Sequence, residues 1–200
     1  MLEGTTRIEA FSDGVIAIVV TLLILELHVP IIPVASNEAA FHALVPLIPK
    51  VGSFMVSFLT VTIFWVNHHH FFHPIAHSNG TLLWYNNALL FWLTVIPFAS
   101  ALLGNNPEIP LIVALYGFVL FMAALAFTLM TRYVFFVGEL LPKSITMSSR
   151  RTQFRGSLFG VALYGLSVIL AFLNTDISYA IFIIVPVFYF LPHRIQAIAE

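Results

Sequence analysis

The sequence has no cysteine and few charged residues, and both absences narrow what the protein can be. With no cysteine among 200 residues, a disulfide framework, a thiolate metal site and a cysteine nucleophile are all excluded. Asp, Glu, Lys and Arg together make up 8% of the chain, whereas about 25% is usual in soluble proteins. The formal net charge is −1, so the chain lacks the basic surface that binds nucleic acid, and we expect no nucleic-acid partner.

Apolar residues are what the chain has in excess. They account for 60% of the sequence, and the mean hydropathy is +0.99. Such a composition predicts an integral protein of the lipid bilayer, and each helix of about 20 apolar residues can cross it once. We predict an all-α membrane protein with one domain, residues 1–200, and six transmembrane helices. The six predicted spans are residues 11–29, 51–72, 81–103, 111–137, 156–173 and 177–191.

The connections between spans differ in character. Four prolines between the first two spans make a helix there unfavourable, so we expect residues 30–50 to be a non-helical connection. A polar connector is expected at residues 138–155, where several cations lie. If both termini share one side, that side collects seven of the eight cations, and the positive-inside rule then places both termini in the cytoplasm. These cations are Arg7, Arg132, Lys143, Arg150, Arg151, Arg155 and Arg194.

The first span carries a stripe of branched aliphatic residues. At about 100° per residue, Ile18, Leu22 and Leu25 share one helix face, with Thr21 on its flank. On spacing alone the simplest interpretation of this stripe is a buried packing seam. Glu26 falls at the outer end of the span, where it is predicted to attract cations.

Asp13 allows two interpretations. It can act with Ser12 as an ordinary cap that opens the first helix. Alternatively, it can belong to a network that fixes the inner end of this helix, because an unpaired charge inside a membrane helix is costly. In the second interpretation, His, Asn or Trp groups from the end of the second span hold Asp13.

The end of the second span reads Asn67-His68-His69-His70. Consecutive histidines on a helix point about 100° apart, so the three cannot reach one ion. We therefore expect a polar cluster at the membrane interface, with no metal site and no cofactor.

Arg7, Phe11, Ser12 and Asp13 fit the pattern R-x-x-x-F-S-D. With the uncharged run behind it and the Asn-His-His at the end of the second span, the sequence resembles the lysosomal potassium-channel family named after transmembrane protein 175, which includes bacterial members. The resemblance covers nearly the whole chain.

This resemblance implies a homotetramer in the bacterial plasma membrane, with the first helices around a central pore. It implies that Ile18, Leu22 and Leu25 form the constriction or gate, and that Ile18 and Thr21 take part in ion selectivity. It also implies passive conduction of potassium and other monovalent cations, with potassium as the permeant ion and no enzyme activity. No T-V-G-Y-G carbonyl filter is present, so we expect moderate selectivity over sodium. The network would combine the four motif residues with Asn67, His68 and His69.

Two other functional classes stay open from the residues alone. A proton- or cation-coupled secondary transporter would need broken helices that meet a buried carboxylate at mid-membrane. A membrane enzyme using the histidines would need a convergent carboxylate or nucleophile beside them.

Overall fold

The computed structural model of the protein describes residues 4–142 and 144–190. These residues form seven α-helices and no β-strand, which confirms the all-α prediction. Lys143, Arg194 and the predicted end of the sixth span at residue 191 lie outside the described residues. The helices are α1 (Thr6–Leu25), α2 (Asn37–Leu44), α3 (Ile48–Phe72), α4 (Gly80–Asn105), α5 (Pro110–Phe136), α6 (Met147–Leu170) and α7 (Thr175–Phe190).

Six of these helices correspond to the six predicted spans. Five helical segments are long and apolar enough to cross a membrane, and α2 with α3 counts as one of them. The sixth, α7, has 16 residues and contains Pro186. At 1.5 Å per residue the described part of α7 is about 24 Å long, compared with a bilayer core of about 30 Å.

The first helix begins earlier than predicted, at Thr6 instead of residue 11, and ends at Leu25 instead of residue 29. No helix-breaking residue lies between Thr6 and Phe11, and Glu9 in the first turn is favourable at the positive end of the helix dipole. Ser12 and Asp13 are therefore inside the helix. The interpretation of these two residues as an N-terminal cap is wrong.

The prediction of a non-helical connection between the first two spans is also wrong in part. The Ser36 hydroxyl oxygen accepts a hydrogen bond from the backbone N–H of Ala39 at 3.2 Å and so caps α2. Pro46 and Pro49 occupy the first turns of the next helical segments, where the missing N–H has no partner to lose. Proline here begins helices instead of preventing them.

The fifth span is extended in the same way. Thr146 caps α6 by accepting a hydrogen bond from the backbone N–H of Ser149 at 3.3 Å. Helix α6 therefore starts at Met147, and half of the predicted polar connector is helical.

The helices pack in a bundle in which α1 lies against α3 and α4, while α5 lies between α4 and α6. Helix α7 closes the bundle against α3, α5 and α6. Polar groups in this core are paired: the Ser57 hydroxyl donates to Ser100 Oγ at 2.9 Å and lies 2.8 Å from the Tyr116 hydroxyl. Pairing matters because an unpaired hydroxyl in an apolar interior costs free energy.

Helices α3 and α4 approach each other closely at Gly104. A Cβ atom on this residue would lie 2.8 Å from the backbone Cα of Lys50 and 2.6 Å from Ser53 Oγ. The close approach therefore depends on the absence of a side chain, as is common where membrane helices pack.

We expect Gly104→Ala to lower the stability of the folded protein by about 1–3 kcal/mol, because the added methyl group forces two helix backbones apart. Thermal unfolding of the detergent-purified protein, followed by fluorescence-detected size exclusion, measures this change. Gly52→Ala on α3 is the matched control, since nothing lies within 4 Å of the added Cβ. A Gly104→Ala protein as stable as the Gly52→Ala protein would show that the helices separate easily here.

Candidate functional site

Helix α1 has one buried face and one exposed face. The buried side chains recur at every third or fourth position and pack against α3 and α4; they are Ile8, Ser12, Ile16, Val19 and Leu23. The stripe is exposed: Ile18 is 59% exposed, Leu22 43% and Leu25 67%. Within one subunit the buried set, and not the stripe, is therefore the packing seam of α1. The stripe is left free to face lipid, water or another copy of the chain.

Thr21 is exposed beside the stripe. Its hydroxyl oxygen lies 2.9 Å from the carbonyl oxygen of Ile18 and 3.1 Å from that of Ala17, so the hydroxyl hydrogen is used inside the helix. The lone pairs of the oxygen remain on the exposed side. This geometry presents a hydrogen-bond acceptor, and a ligand for a cation, among apolar side chains.

Asp13 is held by an indole from α3. The Trp65 Nε1–H donates to Asp13 Oδ1 at 2.9 Å, and the His69 ring stacks on Trp65 with centroids 6.1 Å apart. Of the three kinds of partner expected for Asp13, the structure provides the tryptophan directly and a histidine only behind it.

Ser12 is held by a second, fully buried contact. The Asn86 side-chain amide donates to Ser12 Oγ at 2.9 Å, and its carbonyl oxygen lies 2.8 Å from His68 Nε2. Because that carbonyl oxygen can only accept, Nε2 of His68 carries the hydrogen. This chain of three side chains joins α1, α3 and α4, and all three are 1% exposed or less.

Sequence reasoning missed Asn86. The available signal was an amide in the apolar third span, which is costly in a membrane helix unless it has a partner. The identity of that partner could not be read from the sequence, because Ser12 lies 74 positions away.

The remaining predicted network residues are elsewhere. Arg7 and Phe11 are exposed, and Asn67 is half-buried beside a cavity on another side of α3. In the structure the anchoring network, which holds α1 in place, therefore joins Ser12 and Asp13 to His68, Trp65 and Asn86. Within the described parts of the chain, no three His, Asp or Glu side chains are close enough to hold a metal ion.

Glu26 is half-buried at the end of α1. It lines a crevice of about 10 Å³ between α1, α3 and α4, together with Lys50 and Ser53. Its side chain therefore lies near the packing side of α1 and shares its surroundings with a cation.

Comparison with known proteins places this arrangement in a family. The family model described as "Endosomal/lysosomal potassium channel TMEM175" matches residues 7–97. A potassium channel of Streptomyces collinus is 33% identical over 184 residues, which are 90% of this chain and 88% of that protein. The chain belongs to the TMEM175 family. A potassium channel of a Chryseobacterium species is 40% identical to this TMEM175-family chain over 128 residues, 64% of each protein.

A solved structure supports the same assignment at the level of the fold. The crystal structure of a lysosomal potassium-selective channel TMEM175 homolog from Chamaesiphon minutus has a TM-score of 0.82 and 26% identity. The match covers 96% of this chain and 97% of that one. This TMEM175-family protein is thus a multi-pass membrane protein, and the relatives and the solved structure that it matches are named as potassium channels.

The segment that the TMEM175 family model matches contains the whole anchoring network. Residues 7–97 include α1 from its second residue onward and the partners that hold it on α3 and α4. The family pattern therefore falls on the first helix and on the side chains that fix its position.

We expect Asn86→Leu to destabilise the protein by about 1–3 kcal/mol, because it leaves the buried polar groups of Ser12 and His68 without a partner. Thermal unfolding in detergent measures the loss. The neighbouring exposed Asn87 provides the control, and Asn87→Leu should leave the unfolding temperature nearly unchanged. Equal behaviour of the two variants would mean that the buried chain does not stabilise α1.

Proposed function

We propose that this protein is a cation channel with moderate preference for potassium over sodium, which conducts passively through the central pore of a homotetramer. The observation that carries the proposal is the exposed stripe of Ile18, Leu22 and Leu25, with the hydroxyl of Thr21 beside it, on a helix whose opposite face is fixed. The names of the two bacterial relatives from Chryseobacterium and Streptomyces collinus, which are potassium channels, support the choice of ion.

Several copies are needed because one helix cannot enclose a pore, and closed cyclic symmetry is the usual way for identical chains to do so. Small exposed residues on α1 support a close approach of neighbouring copies. They recur at helical spacing next to the stripe, as Ala10, Gly14, Ala17 and Thr21. A Cβ on Gly14 would meet nothing within 4 Å, so this face is free to receive a second α1.

In the proposed pore the three stripe residues form successive rings. Along a helix, Ile18 and Leu22 are separated by about 6 Å, and Leu22 and Leu25 by about 4.5 Å. Rings of branched aliphatic side chains can close a pore by dewetting, and a narrow ring forces an ion to shed part of its water. Potassium is hydrated more weakly than sodium and loses this water more easily, so it is preferred.

Thr21 adds the one polar group at this level. Its hydroxyl hydrogen is engaged by backbone carbonyls of α1, so its oxygen can face a partly dehydrated ion. Together with Ile18 it is our candidate for the selectivity of the pore. No organic cofactor and no resident metal are part of this proposal.

We place the protein in the bacterial plasma membrane with both termini in the cytoplasm, and Glu26 at the outer end of the pore. The arginines of α6 and Arg132 support this orientation, since they gather at the end where α1 begins. The crevice that Glu26 shares with Lys50 suggests that its charge acts on the mouth as a whole and not as a ring inside the pore.

A coupled transporter is less well supported. Helices α3, α4, α5 and α6 contain no Asp or Glu at all, so a buried carboxylate at mid-membrane has no place among them. Ion coupling usually depends on such a group.

The first experiment is electrical. Purified protein is placed in a planar bilayer with potassium on one side and sodium on the other, and we expect a current that reverses toward the potassium equilibrium potential. Ile18→Asn should enlarge the current or lower its selectivity, because it makes one of the three apolar rings polar. Ile183→Asn on α7 is the control, since Ile183 is 52% exposed and lies outside the proposed pore.

Two results would contradict the proposal. One is that Ile18→Asn and Ile183→Asn both behave like the wild-type protein. The other is the absence of current in every protein while vesicles show uptake coupled to a proton gradient.

The contact between Asp13 and Trp65 gives a separate prediction. We expect Asp13→Ala to reduce the yield of assembled protein, while the assembled fraction keeps the wild-type ion preference, because the carboxylate fixes α1 and does not face the permeating ion. Trp65→Phe should act in the same way, since it removes the indole donor. Trp84→Phe, at a tryptophan that is 76% exposed, should leave the yield unchanged. A well-assembled Asp13→Ala protein with altered ion preference would refute the assignment.

A further inference from the structure

A large cavity lies on the side of α3 that faces away from Asp13. It has a volume of about 1290 Å³, is lined by side chains of α3, α5, α6 and α7, and is open on one side. Sites for small molecules usually measure about 300–1,000 Å³. This cavity is therefore large enough for a long ligand, and it belongs neither to the stripe of α1 nor to the anchoring network.

The lining of the cavity changes in polarity along its length. Toward the middle of the bundle most of the lining side chains are apolar, with the hydroxyl groups of Thr60 and Tyr164 among them; the apolar ones include Ile63 and Phe64 of α3, Phe127 of α5, Phe159 of α6 and Val185 of α7. Toward the end of α3 and the start of α6 they become polar; this end is lined by Asn67, His70, Ser148, Thr152, Gln153 and Arg155. A ligand that fills the whole cavity must be polar at one end and apolar at the other.

The charge at the polar end has one sign. Among the described lining residues Arg155 is cationic, and none is an Asp or Glu. Ser148 lies about two helical turns before Arg155 on α6 and Thr152 about one turn before it, so hydroxyl donors accompany the cation. Guanidinium and hydroxyl donors together suit a phosphate group.

We propose that this cavity binds one anionic phospholipid. Its phosphate lies at Arg155 and the hydroxyls of α6, and an acyl chain extends between α3 and α6 toward Phe64 and Phe159. A free phosphate ion would leave the apolar part of the cavity unfilled, and a zwitterionic lipid would place a second cation beside the guanidinium. The amphiphilic lining and the single sign of charge both favour an anionic lipid of the surrounding bilayer.

The test is native mass spectrometry of the full-length protein, titrated in detergent with phosphatidylglycerol or with phosphatidylcholine of the same acyl chains. We expect phosphatidylglycerol to bind more tightly, with one lipid per chain at saturation. Arg155→Gln should weaken its binding about tenfold or more, because the charge-assisted hydrogen bond from the guanidinium to the phosphate is lost. Arg151→Gln removes the same charge one turn earlier on α6 from a residue outside the lining, and it should weaken binding by no more than about fivefold, the effect of one charge near a membrane surface.

Thr152→Trp provides a second variant that does not alter the charge. The larger side chain fills the polar end of the cavity, so the assembled protein should keep its mass and lose the lipid. Equal binding of the two lipids, or equal losses for Arg151→Gln and Arg155→Gln, would overturn the proposal. It would also fail if the wild-type protein holds no lipid and Thr152→Trp breaks the assembly, since a neighbouring copy would then occupy the cavity.

Discussion

A polar side chain inside a membrane helix must find its hydrogen-bond partner within the protein, because lipid offers none. This constraint fixes the first helix. Ser12 and Asp13 are adjacent, point to different neighbours, and are paired with Asn86 on α4 and Trp65 on α3. Two directional contacts from two helices define the rotation of α1 about its axis. The apolar residues on the same side of α1 strengthen its packing against α3 and α4, but apolar contacts are not directional and would also form if the helix were rotated.

The rotation matters because it decides which residues are left exposed. With Ile16, Val19 and Leu23 turned inward, Ile18 and Leu25 must turn outward, since successive faces of a helix are related by a fixed angle. The polar pair near the start of α1 thus selects the side chains that the subunit presents along its whole length. The family pattern around Ser12 and Asp13 can be explained in the same way, because these two residues set the rotation of α1 about its axis.

Much of this architecture could be predicted from the sequence. Hydropathy alone predicted the six apolar helices, because the position of a span depends on composition and not on partners. The predicted helix boundaries were less accurate where a single capping side chain decides the local structure. Ser36 and Thr146 cap helices in segments that were predicted to be connections between spans. For the site, the motif indicated that Ser12 and Asp13 are structural, but Asn86 could not be assigned, because a contact across 74 residues depends on how helices pack. The exposure of the stripe could not be derived either: its spacing fits a seam equally well.

Helix α3 lies between two parts of the subunit, the network that holds α1 and the large cavity. One side carries Trp65 and His68, which hold α1, and the other carries Phe64 and Asn67, which line the large cavity. A rigid helix cannot move one side without the other. Side chains of α6 and α7 that pack on the cavity side of α3 therefore influence the position of α1, although none needs to contact it. In a protein built this way, distance from the proposed pore is a poor measure of a residue's influence on it.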